Sequence, residues 1–127
     1  MQLRPVSRAT AEHYTWGSQC DGWHLVKDEK LSVIAEQMPP GTSEARHYHV
    51  HSQQFFWILS GEAVMEVDGS ETRLTSGSGI HIHPGTPHQI RNTSKEPVQF
   101  LVISQPPSHG DRIAAVSRAA LSDETIP

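Results

Sequence analysis

Three histidines at alternate positions, His47, His49 and His51, lie in a stretch that begins at Gly41 and ends at Gly61. In an extended strand, side chains two residues apart leave the same face, so these imidazoles would share one surface. Imidazole is the commonest metal ligand in proteins. The pattern therefore fits a metal site carried by a strand, although closely spaced histidines also occur as surface residues or as hydrogen-bonded core residues.

A second histidine-containing stretch runs from Gly77 to Asn92. In this stretch His81 and His83 alternate, and His88 follows a Pro-Gly-Thr-Pro turn. The two stretches together hold six of the nine histidines. Two histidines two residues apart on one strand can bind a single ion, and the second cluster can supply the third ligand that must come from elsewhere. We therefore predict one metal site to which both stretches contribute.

Both stretches resemble the paired sequence motifs of the cupin superfamily. The first resembles the motif G(X)5HXH(X)3-4E(X)6G at Gly41, His47, His49 and Gly61. The second resembles the motif G(X)5PXG(X)2H(X)3N at Gly77, Gly85, His88 and Asn92. The resemblance covers roughly residues 31–104. It implies an all-β fold, the double-stranded β-helix or jelly-roll barrel.

The sequence departs from these motifs at two positions. Gln54 stands where the first motif has glutamate, and His83 stands where the second has proline. Carried over to this sequence, the resemblance implies one divalent transition-metal ion (Fe, Mn, Ni, Cu or Zn) held by His47, His49, Gln54 and His88. Glutamine brings no charge to the ion and cannot act as a general base, so we expect weaker metal binding. The alternative is a barrel that has lost its metal.

Further residues are candidates for the pocket around the ion, because they alternate in register with the ligands or belong to the histidine clusters. They are His51, Phe56, Ile58, Met65, His81, His83, Ile90 and Asn92. For each apolar member, ordinary core packing is the competing interpretation. The same alternation, counted back from His47, places Glu44 on or near the opposite face.

Short runs with strand composition alternate with glycine and proline turns from Trp23 to Ile103, which is typical of a sandwich or barrel. We predict one domain in three parts: an N-terminal arm (1–21), a β-barrel (22–105) and a C-terminal tail or short helix (106–127). The helix prediction comes from apolar residues at helical spacing after Asp111, a possible N-cap.

Composition argues against several classes of partner. The net charge is −4, and the basic residues are scattered, which disfavours binding to nucleic acid or to an acidic membrane surface. No apolar run is long enough for a signal peptide or a membrane span, and Cys20 is the single cysteine. These observations favour a cytoplasmic protein.

Phe55 and Trp57 alternate with Gln54 and should face outward from the barrel, where bulky apolar residues need cover. The resemblance implies that a second copy of the chain provides this cover in a homodimer. Cover by the N-terminal arm is the alternative.

Three functions follow from these interpretations. The first is a metal-dependent enzyme acting on a small organic substrate, a dioxygenase in the first place and a Lewis-acid isomerase in the second. The second is a non-catalytic module that binds a small ligand in the same pocket. The third, a metal-free barrel acting only in assembly, leaves the histidines unexplained.

Overall fold

A computed structural model describes residues 3–115, and these residues form two antiparallel β-sheets. The strands, in chain order, are β1 (Glu12–Trp16), β2 (Cys20–Lys27), β3 (Ser32–Met38), β4 (His47–His49), β5 (Gln53–Ser60), β6 (Glu62–Val67), β7 (Ser70–Thr75), β8 (Gly79–Ile82), β9 (His88–Arg91), β10 (Val98–Gln105) and β11 (Arg112–Ala114).

The first sheet has the strand order β1-β2-β3-β10-β5-β8, and the second has the order β11-β4-β9-β6-β7. Consecutive strands thus often lie in different sheets, as in a jelly roll. The predicted all-β jelly-roll barrel is confirmed. The two sequence stretches with histidines contribute β4 and β9, which are neighbours in the second sheet.

The hydrophobic core lies between the two sheets. Along β10, Val98, Phe100 and Val102 are buried and alternate with half-buried residues, which is the pattern of a strand with one inward face. Ile58 from β5 and Met65 from β6 belong to the same core cluster. Each large apolar side chain buried in this way stabilises the fold by about 1.5–3 kcal/mol.

Two glycine-containing turns set the spacing of the strands. Asp68 and Gly69 both have positive φ angles, of 49° and 93°, and form the predicted two-residue hairpin between β6 and β7. Gly61 has a φ of 80°, and a Cβ atom there would lie 2.5 Å from the carbonyl oxygen of Pro97. A side chain at position 61 would therefore push apart the segments that precede β6 and β10.

The two ends of the described chain differ from the sequence-based expectation. Glu12–Trp16 forms strand β1 on the edge of the first sheet, within the stretch predicted to be an arm. Arg112–Ala114 forms strand β11 rather than the start of a helix, because it pairs with β4 at the edge of the second sheet. Pairing with an existing sheet has overridden a weak helical pattern.

The remainder of the predicted helix lies outside the described residues. The division of the chain into arm, barrel and tail stays a prediction. Within residues 3–115, no helix is long and apolar enough to cross a membrane.

Candidate metal centre

Three buried histidines meet between the two sheets. His47 and His49 project from β4, and His88 from β9 is the direct cross-strand partner of His47. Their relative exposures are 4%, 4% and 0%. Each offers a ring nitrogen, and these nitrogens all lie within 4.8 Å of one another, so the group could hold a metal ion.

Backbone carbonyl groups fix the rings of two of these histidines. Nδ1 of His47 lies 2.8 Å from the carbonyl oxygen of Ala45, and Nδ1 of His88 lies 2.9 Å from that of Thr86. A carbonyl oxygen only accepts hydrogen bonds, so Nδ1 is the donor in both rings. Nε2 of each neutral ring is then unprotonated, and metal-binding histidines are commonly held by the same arrangement.

His49 has a different environment. Both of its ring nitrogens are buried, and neither has a hydrogen-bond partner among residues 3–115. A buried polar atom without a partner costs about 1–3 kcal/mol, so a folded protein rarely retains one without a reason. The carbonyl group of His49 is satisfied, because it accepts a hydrogen bond of 2.6 Å from the backbone amide of Gly85 in the second motif.

Burial keeps these imidazoles neutral. It lowers the pKa of His47 to about 3, and it lowers the pKa of both His49 and His88 below the usual value. A hydrogen bond to Ala45 or Thr86 opposes the effect at His47 and His88 without reversing it. Neutral imidazole is the form that binds a metal, so the group is ready for an ion at neutral pH.

Gln54 reaches the histidines from the other sheet. It is buried on β5, and its amide nitrogen donates a hydrogen bond of 3.0 Å to the hydroxyl of Ser104, its cross-strand partner on β10. Its amide oxygen lies 3.1 Å from Nε2 of His88. The four residues that the sequence predicted as ligands are therefore brought together.

A cavity of about 670 Å³ opens beside the histidines, within the size range of small-ligand sites. Both sheets and the segment before β11 line it. Its apolar wall includes Ile34, Phe56 and Val102, and His47, His49 and Gln54 also line it.

Two carboxyl groups that the sequence analysis did not select also line this cavity. Glu36 on β3 accepts a hydrogen bond of 3.2 Å from the hydroxyl of Tyr14, and Glu44 accepts one of 3.2 Å from the backbone amide of Ile90. Burial raises the pKa of Glu36 to about 7 and that of Glu44 to about 8, and the charge of Glu36 also raises the latter. Both groups can therefore exchange a proton near neutral pH.

The expected outward position of Glu44 was wrong. Residues 44–46 precede β4 and are not part of a strand, so alternation counted back from His47 does not apply to them. Glu36 could have been found, because period-two alternation along Ser32–Met38 places it on the inward face. Arg112 also lines the cavity, and no signal pointed to it, because β11 was not predicted.

The remaining pocket candidates lie in other environments. Phe56 lines the cavity, whereas Ile58, Met65 and Ile90 belong to the hydrophobic core. His51, His81 and His83 are exposed. Asn92 is buried, and its amide nitrogen donates to the carbonyl oxygens of Met38 and Glu96, which ties the end of β9 to the end of β3.

Comparison with known proteins gives the same family as the motifs. Residues 35–104 match the family described as Cupin domain. An uncharacterized protein of Methanocaldococcus jannaschii is 34% identical over 89 residues, which are 69% of this chain and 71% of that protein. The oxalate-binding protein of Thermotoga maritima is 30% identical over 85 residues, 63% of this chain and 70% of that protein.

Quercetin 2,3-dioxygenase of Bacillus subtilis is 31% identical over 64 residues, which are 50% of this chain and 19% of that enzyme. Among solved structures, a Klebsiella pneumoniae protein with a double-stranded β-helix domain superposes with a TM-score of 0.76. This likeness covers 91% of this chain and 100% of that one at 23% identity, so it supports the fold alone.

Proposed function

This chain belongs to the cupin family, and we propose that it binds one divalent transition-metal ion and uses it to bind or transform a small organic ligand. His47, His49 and His88 would hold the ion through ring nitrogens, and Gln54 would add its amide oxygen. The observation that carries the proposal is the group of three buried histidines, with ligand atoms within 4.8 Å of one another, beside an open cavity.

The residues present fit such an ion. Two of the rings present an unprotonated Nε2, and the third has two buried nitrogens without a hydrogen-bond partner among the described residues. A set of imidazoles with one amide oxygen suits iron, copper, nickel or zinc, and manganese also accepts oxygen ligands. When bound, the ion would supply a Lewis-acid centre or, if redox-active, a centre that activates oxygen.

The function that we propose first is an enzyme of the dioxygenase type, with a Lewis-acid enzyme such as an isomerase as the second form. The matched region of Quercetin 2,3-dioxygenase supports the first form. In this chain, Ile34, Phe56 and Val102 would exclude water from the ligand. Glu36 and Glu44 would accept or return a proton, a task that Gln54 cannot perform.

The alternative is a non-catalytic cupin that captures a small ligand. One relative is named an oxalate-binding protein, and this chain covers 70% of it. The neutral Gln54 favours this alternative as well, because no carboxylate adjoins the three histidines in the position where the family motif has glutamate.

Metal titration tests the proposal directly. Calorimetric titration of the metal-free protein with Fe²⁺, Ni²⁺ and Zn²⁺ should give about one site per chain. The His47→Ala variant should lose that site, and the matched variant His51→Ala should keep it, because His51 is exposed. Equal metal binding by both variants would contradict the proposal.

Oxygen consumption separates the two candidate functions. With the iron- or copper-loaded protein, uptake of oxygen that depends on an added phenolic or enol-forming substrate supports the dioxygenase. Tight ligand binding without uptake or product supports the binding module.

We also propose a homodimer formed by the outer face of the first sheet. Phe55 and Trp57 stack there with ring centroids 6.2 Å apart, and Trp57 and Leu59 are 37% and 46% exposed. The N-terminal arm covers a different part of this face, where the Arg8 guanidinium lies 3.8 Å from the Trp23 ring centroid. Sedimentation equilibrium should show a dimer that Trp57→Lys converts to a monomer, and a wild-type monomer would refute the interface.

The expected cytoplasmic location stays a prediction. So does the expectation that neither nucleic acid nor a membrane is a partner.

A further inference from the structure

Arg112 stands beside the histidines because of strand pairing. In the register of β11 and β4, Arg112 is the direct partner of His49. Side chains of directly opposed residues leave the same face of a sheet, with Cβ atoms about 4.5–5.5 Å apart. Since His49 points into the cavity, Arg112 does so too, and it is one of the lining residues.

The position of Arg112 is fixed by its neighbour in the chain. The Asp111 carboxylate accepts hydrogen bonds of 3.0, 2.9 and 2.8 Å from the backbone amides of Val50, His51 and Ser52. These bonds join the segment after β4 to the start of β11. They hold the register that puts Arg112 opposite His49.

The Arg112 guanidinium group has more hydrogen-bond donors than the described residues use. It carries five N–H donors, and within residues 3–115 its side chain donates one hydrogen bond, of 3.2 Å from Nη2 to the carbonyl oxygen of Ala45. Within residues 3–115, none of the ion pairs involves Arg112. Arg112, which lines the cavity and is also exposed to solvent, can therefore pair with an anion there.

The carboxyl groups of the cavity do not cancel this charge below neutral pH. Burial raises the pKa of Glu36 to about 7 and that of Glu44 to about 8, so both are largely protonated in mildly acidic solution. The Arg112 charge acts in the opposite direction on both, which shows that the guanidinium lies within electrostatic range of them. The cavity thus combines one permanent cation with groups that can donate a hydrogen bond.

We propose that Arg112 is the anchor for a carboxylate, and that the cavity binds a small organic acid between this guanidinium and the three histidines. A planar carboxylate matches the guanidinium fork, with two parallel N–H···O bonds. The carbon skeleton of the acid would lie against Ile34, Phe56 and Val102. The inference rests on the proposed function, because a second donor atom of the acid would face the bound ion.

Two pairs of probes of matched shape test the proposal: malonate against malonamide, and salicylate against salicylamide. Calorimetric titration would use the Ni²⁺-loaded protein at about pH 6.5, below the raised pKa of both carboxyl groups in the metal-free protein. Metal content is measured in the same samples, so that loss of the ion and loss of the anion site are distinguished. The variants are Arg112→Gln and Arg112→Lys, with Arg73→Gln as the matched control, because Arg73 is exposed and pairs with Glu62 on β6.

The acids should bind and the amides should not. Arg112→Gln should weaken binding of the acids by about tenfold to a hundredfold, because it removes a pair of charge-assisted hydrogen bonds. Arg112→Lys should keep part of the affinity, because it retains the charge and loses the fork. Arg73→Gln should bind as the wild type does, and all variants should retain the metal.

Two results would overturn the proposal while leaving the metal site intact. One is a metal-loaded protein that binds neither acid, or binds inorganic phosphate instead. The other is an acid affinity that Arg112→Gln does not change. A protein that binds no metal would instead refute the proposed function.

Discussion

The amide oxygen of Gln54 lies 3.1 Å from Nε2 of His88, although that nitrogen carries no proton when Nδ1 donates to Thr86. Two hydrogen-bond acceptors therefore face each other. A bound cation would turn this unfavourable contact into a favourable one, and in the metal-free protein a reversed amide would relieve it by donating to Nε2.

Replacing Gln54 by glutamate should tighten metal binding by at least about tenfold, because a carboxylate adds a negative charge to the ligand set. The change keeps the length and shape of the side chain. Competition with a chromophoric chelator measures the affinity of the variant and of the wild type.

Gln53→Glu is the matched control for this experiment. The Gln53 side chain lies on the other face of β5. There its amide nitrogen donates a hydrogen bond of 2.7 Å to Gln105, and its amide oxygen contacts His81. This control should bind metal as the wild type does. An unchanged affinity in Gln54→Glu would show that position 54 is not a ligand.

Replacing His49 by leucine should stabilise the metal-free protein while abolishing the metal site. The imidazole has two buried nitrogens without a hydrogen-bond partner in the described part of the chain, and leucine removes both at similar volume. We expect an increase of about 1–2 kcal/mol in the free energy of unfolding, measured by urea denaturation with a chelator present. His51→Leu, at an exposed position, should change it by less than about 0.5 kcal/mol. A less stable His49→Leu protein would mean that the ring is satisfied without a metal.

The four candidate ligands could be named from the sequence because the resemblance to the cupin motifs assigns them and the period of a strand agrees with it. Histidines two residues apart on a strand share a face, and motif spacing set the approximate strand boundaries around His47, His49 and His88. Gln54 followed from the same motif. The structure then brought all four residues to one place.

The rest of the cavity depends on long-range pairing that no local pattern reveals. Arg112 reaches the site because Arg112–Ala114 adds a strand to β4, more than 60 residues earlier in the chain. Tyr14 reaches Glu36 because β1 pairs with β2 at the edge of the first sheet. Glu44 lies in a segment without regular structure, where alternation gives no direction.

Replacing Asp111 by alanine should loosen β11 without removing the metal. The backbone amides of Val50, His51 and Ser52 would lose their hydrogen bonds to Asp111 and would be hydrated instead. The register that places Arg112 opposite His49 would then no longer be fixed. We expect faster amide hydrogen exchange at Val50, His51 and Ser52 and weaker binding of carboxylate ligands. Unchanged exchange at these amides would contradict the role of Asp111 as the clamp.

The metal-free protein should lose stability as pH rises from about 6.5 to about 8.5. Burial raises the pKa of Glu44 from 4.5 to about 8, so the folded state binds this proton more tightly than the unfolded state does. The resulting stabilisation is complete below pH 4.5 and is lost as pH rises through about 8. The buried histidines, with lowered pKa, act in the opposite sense only below their usual value of 6.5.

Glu44→Gln isolates this effect, because the amide oxygen can still accept the hydrogen bond from Ile90. At about pH 8.5 the variant should melt at a higher temperature than the wild type, and its melting temperature should vary less with pH. Glu29→Gln, at an exposed position, should follow the wild type. Identical pH profiles for Glu44→Gln and the wild type would show that Glu44 ionises as freely in the folded protein as in the unfolded chain.

The central claim is that His47, His49 and His88 hold a metal ion, and elemental analysis tests it most directly. The protein would be purified without an affinity tag, with His88→Ala beside it. We predict about one equivalent of a divalent transition metal per chain in the wild type and its loss in the variant. A wild-type protein that contains no metal, and still binds none after incubation with iron, manganese, copper, nickel or zinc, would contradict the account.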